Sequence, residues 1–355
     1  MSDFSGTKLL SEENTFSSND FLAWAKDYLP NIDPKLPLEV SQFKGGQSNP
    51  TFLLKHNESS FVLRRKPPGT LLPSAHAIDR EYKVIKALHQ HHFPVAQPLG
   101  YCSDTNVIGS EFYLMSYLQG RIFWDPRLTE LSHQDRKQVF DAMNSVIAQM
   151  HSLDPIAIGL EDYGRFGGYV QRQIERWTKQ YRSSETEKIP AMDNLIDWLP
   201  QHIPEHDSTS LVHGDFRLDN LIFDPVEPKI IGVLDWELST LGNPLSDFAY
   251  HAMVWRLSPD LFRGLGGVDV ESLHIPNETE YLKAYLKRTG LVIAHPRDWE
   301  FYIIFNMFRL AAILQGIMSR ALQGNASSDS AMDAGRKAKP LAELAWEQVL
   351  TSSAA

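Results

Sequence analysis

The sequence predicts an α+β protein in two lobes, a small antiparallel β-rich lobe with one helix and a large, mainly helical lobe. Three observations point there. Short β-patterned runs between residues 38 and 65 are separated by turn residues. One amphipathic helix follows at residues 77–90. Beyond residue 120 helical periodicity dominates, interrupted by a polar block around residue 215. The 355 residues suffice for roughly two domains, and a composition of 43% hydrophobic and 22% charged residues supplies an ordinary globular core.

Taken in order, residues 1–18 are polar and are expected to be a flexible tail. In "NDFLAWAKDYLP", Phe21, Trp24, Ala25, Tyr28 and Leu29 recur at helical spacing, and Pro30 ends the helix. "LEVSQFKGGQSNPTFLLKHNESSFVLRRKPPG" reads as strands broken at Gly45, Gly46, Ser48, Asn49 and Pro50, then at "HNES", giving an antiparallel meander. In "AIDREYKVIKALHQ" the apolar stripe is Ile78, Tyr82, Ile85 and Leu88. Glu81 falls on that buried side, where a lone carboxylate needs a partner. "EFYLMSYLQG" is a buried strand that runs into a loop at Gly120, and the lobes are expected to divide here, as residues 19–118 and 119–355.

The second lobe contains "RKQVFDAMNSVIAQMHSL", apolar through Val139, Met143, Val146, Ile147 and Met150. "NETEYLKAYLKRTG" opens on an Asn-x-x-Glu capping pattern and closes on Gly290. Residues 301–322 are apolar enough to span a bilayer, but Asn306, Arg309, Gln315 and Arg320 interrupt them, so a buried helix is expected and no membrane association. "GNASSDSAMDAG" reads as a surface loop.

Composition also excludes some functions. The net charge of −10 argues against nucleic acid as a partner, because phosphate binding needs clustered Lys and Arg. One cysteine, Cys102, permits neither an intrachain disulfide nor a cysteine zinc cage, which suits a reducing, cytoplasmic setting. The N-terminus lacks the pattern of a secretory signal.

The polar block "LVHGDFRLDNLIFD", residues 211–224, carries the chemistry. Leu221, Ile222 and Phe223 form a strand, "DPVEPK" a turn, and "IIGVLD" a further strand. Folding the two strands about Glu227 brings Asn220 opposite Asp235. Such oxygen ligands suit Mg²⁺, which takes few protein groups and keeps waters and phosphates. The spacing is H-x-D-x-x-x-x-N followed by a strand-end Asp, the pattern of phosphoryl transfer in kinases. Asp215 would accept the proton of the attacking hydroxyl, Asn220 and Asp235 would hold the metal, and Arg217 would neutralise charge on the transferred phosphoryl group.

The blocks "VHGDFRLDNLIF" and "GVLDWELSTLGNPLSDFAY" resemble the two most diagnostic blocks of the aminoglycoside phosphotransferase and choline kinase-like family. The resemblance runs from about residue 43 to residue 322, and is nearest the branch fused to some acyl-CoA dehydrogenases. It implies a protein-kinase-like two-lobed fold and an ATP- or GTP-dependent, Mg²⁺-dependent phosphotransferase. "FKGGQSN" would be the nucleotide-covering turn, with Gly45, Gly46, Ser48 and Asn49 near the nucleotide. Arg64 in "FVLRR" stands where many relatives have a phosphate-binding Lys, and Glu81 would pair with it. "LMSYL" would be the hinge, with backbone groups of Ser116 and Leu118 meeting adenine.

Plainer readings hold for the neighbouring groups. His213 is expected to brace the loop by hydrogen bonds, and Asp219 to make a loop or solvent contact. Asp224 reads as a turn carboxylate and Asp247 as a loop support. Glu237 stays open between metal support and surface, and Arg309 is expected to pair within the core. Of Arg64, Arg65 and Lys66, only Arg64 receives a function. The acceptor should be a small-molecule alcohol lying against residues 156–210. That segment has nine acidic and six basic residues, with Tyr163, Phe166, Tyr169, Trp177, Tyr181 and Trp198. The mixture suits a body less cationic than an aminoglycoside, and the branch resemblance suggests a hydroxyacyl-CoA. The alternatives are an aminoglycoside, choline or sugar-type kinase, and a non-catalytic nucleotide-binding scaffold.

Overall fold

Alternating burial along the early strands sets the first sheet: in Thr51–His56, Phe52, Leu54 and His56 point inward while Lys55 is exposed. A computed structural model describes residues 6–11, 14–29, 32–44, 49–67, 77–324 and 330–353. In chain order the elements are β1 (Thr7–Lys8), α1 (Ser18–Ala25), β2 (Leu38–Phe43), β3 (Thr51–His56), β4 (Ser59–Arg65), α2 (Ile78–Gln90), β5 (Pro98–Cys102) and β6 (Phe112–Ser116). There follow α3 (His133–His151), α4 (Tyr169–Ser183), α5 (Pro190–Trp198), β7 (Ser210–Val212), β8 (Leu221–Phe223), β9 (Ile230–Val233), β10 (Thr240–Gly242) and α6 (Pro244–Ala252). The chain closes with α7 (Pro259–Phe262), α8 (Glu278–Thr289), α9 (Pro296–Leu322), α10 (Ala331–Gly335) and α11 (Ala338–Ser353).

Two units divide these elements. The first comprises residues 1–124, 158–160 and 219–239, the second residues 125–157, 161–218 and 240–355. The first unit carries a six-stranded antiparallel sheet in the order β1-β2-β3-β4-β6-β5. One face covers a core of Phe21, Leu22, Phe52, Leu54, Leu63, Phe112 and Leu114. Part of the expected tail is engaged: Thr7 and Lys8 pair with Phe43 and Gln42, and Asn14 Oδ1 accepts from Arg65. The helix expected over residues 19–29 ends at Ala25, and Tyr28 instead stacks on Trp24 from a turn.

The leading segment of the β-rich unit runs past residue 118 to residue 124. The hairpin β8–β9 belongs to the β-rich unit, because tertiary contacts tie it there. Arg121 pairs with Phe223, Trp236 packs edge-on against Phe93, and Leu118 lies over Gly232.

The second unit is helical around α9, which packs against α4, α6, α10 and α11. By length and composition α9 could cross a membrane, yet 83% of its most apolar stretch is buried inside this unit. Helix α8 has the expected capping box between Asn277 and Glu280, and Gly290 ends it in the left-handed conformation. The expected loop after Gly324 is corrected in its second half, where Ala331–Gly335 forms α10 against α9.

Candidate active site

In the β-rich unit a polar cluster grows from strand register. Thr51, Arg64 and Tyr113 are direct neighbours across β3, β4 and β6, so their side chains leave the same face of the sheet. Glu81, on the buried stripe of α2, meets that row. Arg64 Nε lies 2.7 Å from Glu81 Oε2, with the side chains 9% and 2% exposed. Tyr113 donates to Glu81 Oε2 at 3.0 Å, and Arg64 also reaches Thr51 Oγ1 at 3.4 Å. Burial pulls the Arg64 pKa down, but Glu81, with Tyr113, Asp235 and Glu237, raises it above its ordinary value, so the guanidinium stays charged. Burial and the charge of Glu81 likewise keep Tyr113 a protonated donor.

Strand alternation sends Arg65 the other way, where it donates to the Ile108 carbonyl and lies over the Phe52 ring. Lys66 pairs with Glu111. Only Arg64 of the three faces Glu81.

The hairpin supplies the oxygen ligands. Leu221 pairs with Val233, and the Leu234 N–H donates to the Asn220 carbonyl at 2.8 Å. Asn220 and Asp235 therefore stand at the same end of the hairpin. Asp235 holds φ 65° and ψ 63°, a left-handed conformation that Asp tolerates better than most residues. Its Oδ1 accepts from Arg64 at 3.1 Å, and Glu237 lies 3.8 Å from the same guanidinium. At the far end, Asp224 Oδ1 accepts from the N–H groups of Val226 and Glu227, as a turn carboxylate does. Those bonds, that from Glu227 first, hold its pKa below the usual range.

A separate polar cluster lies in the helical unit, where β7 leads into the loop at His213. Asp247, Tyr250 and His251 occupy one face of α6 at i, i+3 and i+4. Asp247 accepts from the backbone N–H of His213 at 2.9 Å and of Gly214 at 2.8 Å, and contacts His151 Nε2 at 3.1 Å. Burial raises the Asp247 pKa, but the hydrogen bond and charge of His151 and those of His213 outweigh it and leave it low. Gly214 turns at φ 81°, which a side chain would strain. His213 is fully buried, and its Nδ1 accepts the Asp215 N–H at 3.2 Å, so it braces the loop. Tyr250 donates to Asp215 Oδ1 at 2.7 Å, and Arg217 Nε lies 2.9 Å from the same oxygen. Arg309 donates to the Gly214 carbonyl and makes no ion pair among the described residues, contrary to the pairing expected of it.

Gly45, Gly46 and Ser48 lie outside the described residues. Asn49 is fully buried and donates to Glu81 Oε1 at 2.8 Å, so it supports the ion pair and offers no surface to a nucleotide. In the expected hinge the Ser116 N–H is engaged by the Gln97 carbonyl at 2.9 Å, and the Leu118 side chain packs over Gly232. Of the aromatic residues expected to line an acceptor wall, Tyr163, Tyr169, Trp177 and Tyr181 are core residues, and Phe166 is exposed. Thr51, Tyr113, His151 and Tyr250 escaped the sequence reading. Tyr250 had a signal, its helical offset of three from Asp247.

A covered Arg–Glu pair beneath an antiparallel sheet, an H-x-D loop in a helical unit, and the motif's Asn on the hairpin of the β-rich unit are parts of the kinase-like phosphotransferase class. The chain belongs to the phosphotransferase enzyme family, which it matches over residues 39–297. It is 51% identical to a candidate aminoglycoside phosphotransferase from Ralstonia eutropha JMP134, covering 95% of this chain and 99% of that one with a TM-score of 0.87. Choline kinase from Cryptosporidium parvum shares the fold at 13% identity, with 94% and 96% of the chains covered and a TM-score of 0.64. Acyl-CoA dehydrogenase family member 10 of Mus musculus is 48% identical over 88% of this chain and 29% of its own length. The chain spans less than half the length of the curated relatives it matches.

Proposed function

We propose that the protein transfers the γ-phosphoryl group of ATP, or of GTP, to a hydroxyl of a small molecule in a Mg²⁺-dependent reaction. The observation that carries this reading is Arg64, a buried cation held by Glu81 with Asp235 on its other side. A buried guanidinium in that setting suits forked recognition of phosphate oxygens.

The donor set fits a magnesium nucleotide. Asp235 and Asn220 are hard oxygen ligands at one hairpin end, and Asp235 is 35% exposed. Among the described residues no group of three or more His, Cys, Asp or Glu forms a metal cage. Mg²⁺ bound through one or two protein groups plus phosphates needs none. Asp235 and Asn220 would hold the ion, which would supply positive charge to offset that of the nucleotide phosphates. Arg64 would bind and orient the nucleotide. Asp215 would take the proton of the acceptor hydroxyl, and Arg217 would offset charge on the moving phosphoryl group.

Among acceptors we favour a hydroxyacyl-CoA. Relatives named acyl-CoA dehydrogenase family members 10 and 11 support this choice, as does a mixed charge in residues 156–210 that suits a polycation poorly. The reading assigns the protein to the cytoplasm, where its buried thiol Cys102 stays reduced. The test is Mg-ATP turnover with 3-hydroxybutyryl-CoA, choline, glucose and kanamycin as acceptors, followed by mass analysis of the product. Phosphorylated 3-hydroxybutyryl-CoA is expected. Transfer to kanamycin alone would replace the thioester by an aminoglycoside, and no transfer at all would favour a nucleotide-binding scaffold.

A further inference from the structure

We propose that Tyr250 and Arg309 position the Asp215 carboxylate for proton transfer, Tyr250 by holding one of its oxygens and Arg309 by fixing both Tyr250 and the loop. The inference rests on the phosphotransferase reading above and concerns two residues to which that reading assigns no role.

Tyr250 is 6% exposed, and its hydroxyl donates to Asp215 Oδ1 at 2.7 Å. Burial and the Asp215 charge raise its pKa despite Arg217 and Arg309, so it remains a donor across the working pH range. Arg217 approaches the same oxygen from an exposed position, its side chain 38% exposed. The buried phenol is the partner that solvent cannot replace.

Arg309 explains why the phenol stays in place. It is 5% exposed in the middle of α9, without an ion pair among the described residues. A bare buried cation is costly, so its neighbours carry the explanation. The guanidinium lies 4.9 Å from the Tyr250 ring centre and 5.6 Å from that of Trp177, and donates to the Gly214 carbonyl at 2.6 Å. Two of these three partners, Tyr250 and Gly214, touch or adjoin Asp215. Only a planar fork can stack on a ring and donate sideways at once. A purely structural Arg in a core would more simply be replaced by a hydrophobic residue of similar volume.

In the reaction the acceptor oxygen forms its bond to the γ-phosphorus, the bond from phosphorus to the bridging oxygen breaks, and the acceptor proton passes to Asp215. Tyr250 keeps its own proton throughout. It limits the rotamers of the carboxylate, so its effect belongs in kcat and not in nucleotide binding.

Tyr250→Phe keeps the ring under Arg309 and removes one oxygen. For whichever acceptor of the panel the wild type phosphorylates, kcat is expected to fall about ten- to a hundredfold. The KM for Mg-ATP should stay within about twofold, with the thermal midpoint little changed. Arg309→Lys keeps the charge but loses the fork, and is expected to lower kcat in the same direction. Wild-type kcat in Tyr250→Phe overturns the positioning role, as does a loss of activity that merely follows a loss of folded protein. Wild-type protein that phosphorylates no acceptor overturns the phosphotransferase reading itself. An active wild type with an indifferent Tyr250→Phe overturns the positioning role alone.

Discussion

Arg64 Nε and Glu81 Oε2 stand 2.7 Å apart, with both side chains nearly closed off from water. Their contact joins β4 to α2, and Asn49 and Tyr113 satisfy the carboxylate from its other sides. Glu81→Ala leaves a buried guanidinium short of its main partner and should cost about 3–5 kcal/mol in urea unfolding. The double variant Arg64→Met with Glu81→Leu should recover most of that stability but not nucleotide affinity. Wild-type Mg-ADP affinity in the double variant would sink the phosphate-binding role of Arg64.

Gly120 is exposed, yet a Cβ there would press into the Phe223 carbonyl oxygen and the Ile222 side chain. The neighbouring Arg121 N–H donates to that same carbonyl at 2.8 Å, and the Arg121 side chain donates to the carbonyls of Asp224, Val226 and Glu227. Gly120→Ala should therefore loosen β8–β9, costing about 1–3 kcal/mol, and should weaken Mg-ADP binding through Asn220 and Asp235. Calorimetric melting with and without Mg-ADP reads both effects. An unchanged midpoint would show that the hairpin tolerates the methyl group.

Local pattern made much of this legible. The turn residues at positions 45–50 and "HNES" delimited β3 and β4, the stripe of α2 put Glu81 inside, and the turn at Asp224 set Asn220 against the end of β9. What escaped depends on contacts between distant segments. Nothing local tells that Arg64 stands between Thr51 and Tyr113, because register is settled by pairing across the sheet. The hairpin's membership of the β-rich unit follows from Trp236 on Phe93 and Leu118 on Gly232, separated by more than 100 residues of chain. The aromatic residues of 156–210 misled because composition counts rings without saying which way they face. Tyr169 and Trp177 look inward, where α4 packs on β10 and α9.

His251 gives the pH dependence. It is buried on α6 with Nε2 2.8 Å from the Tyr281 hydroxyl. Burial lowers its pKa to about 4, against smaller opposing effects from the Phe216 backbone and Asp247. A histidine depressed in the folded state binds fewer protons than in the unfolded chain, so its stabilisation is present above about pH 6.5 and is lost as pH falls towards 4. Between pH 7 and pH 5 it should remove about 2 kcal/mol of stability. Asp247, whose folded pKa is also low, adds a loss that begins only below about pH 4. Urea titrations at both pH values should show a shallower dependence for His251→Gln than for wild type. Equal slopes would remove His251 as the source.

Asp235 and Asp215 should separate binding from chemistry. Asp235→Ala would mix loss of charge with backbone strain, because the residue sits at φ 65°. Asn tolerates that conformation almost as well as Asp, so Asp235→Asn isolates the charge. It should weaken Mg-ADP by about tenfold or more, since Mg²⁺ loses an anionic ligand. Asp215→Asn still offers Tyr250 an acceptor oxygen, so loop and nucleotide affinity should be kept. It cannot accept the proton, and turnover should fall by about 10²–10⁴-fold. Titration calorimetry with Mg-ADP and steady-state phosphoryl transfer on the same preparations read the two effects apart. Wild-type nucleotide affinity in Asp235→Asn would contradict the metal role. Wild-type turnover in Asp215→Asn would move the proton acceptor elsewhere.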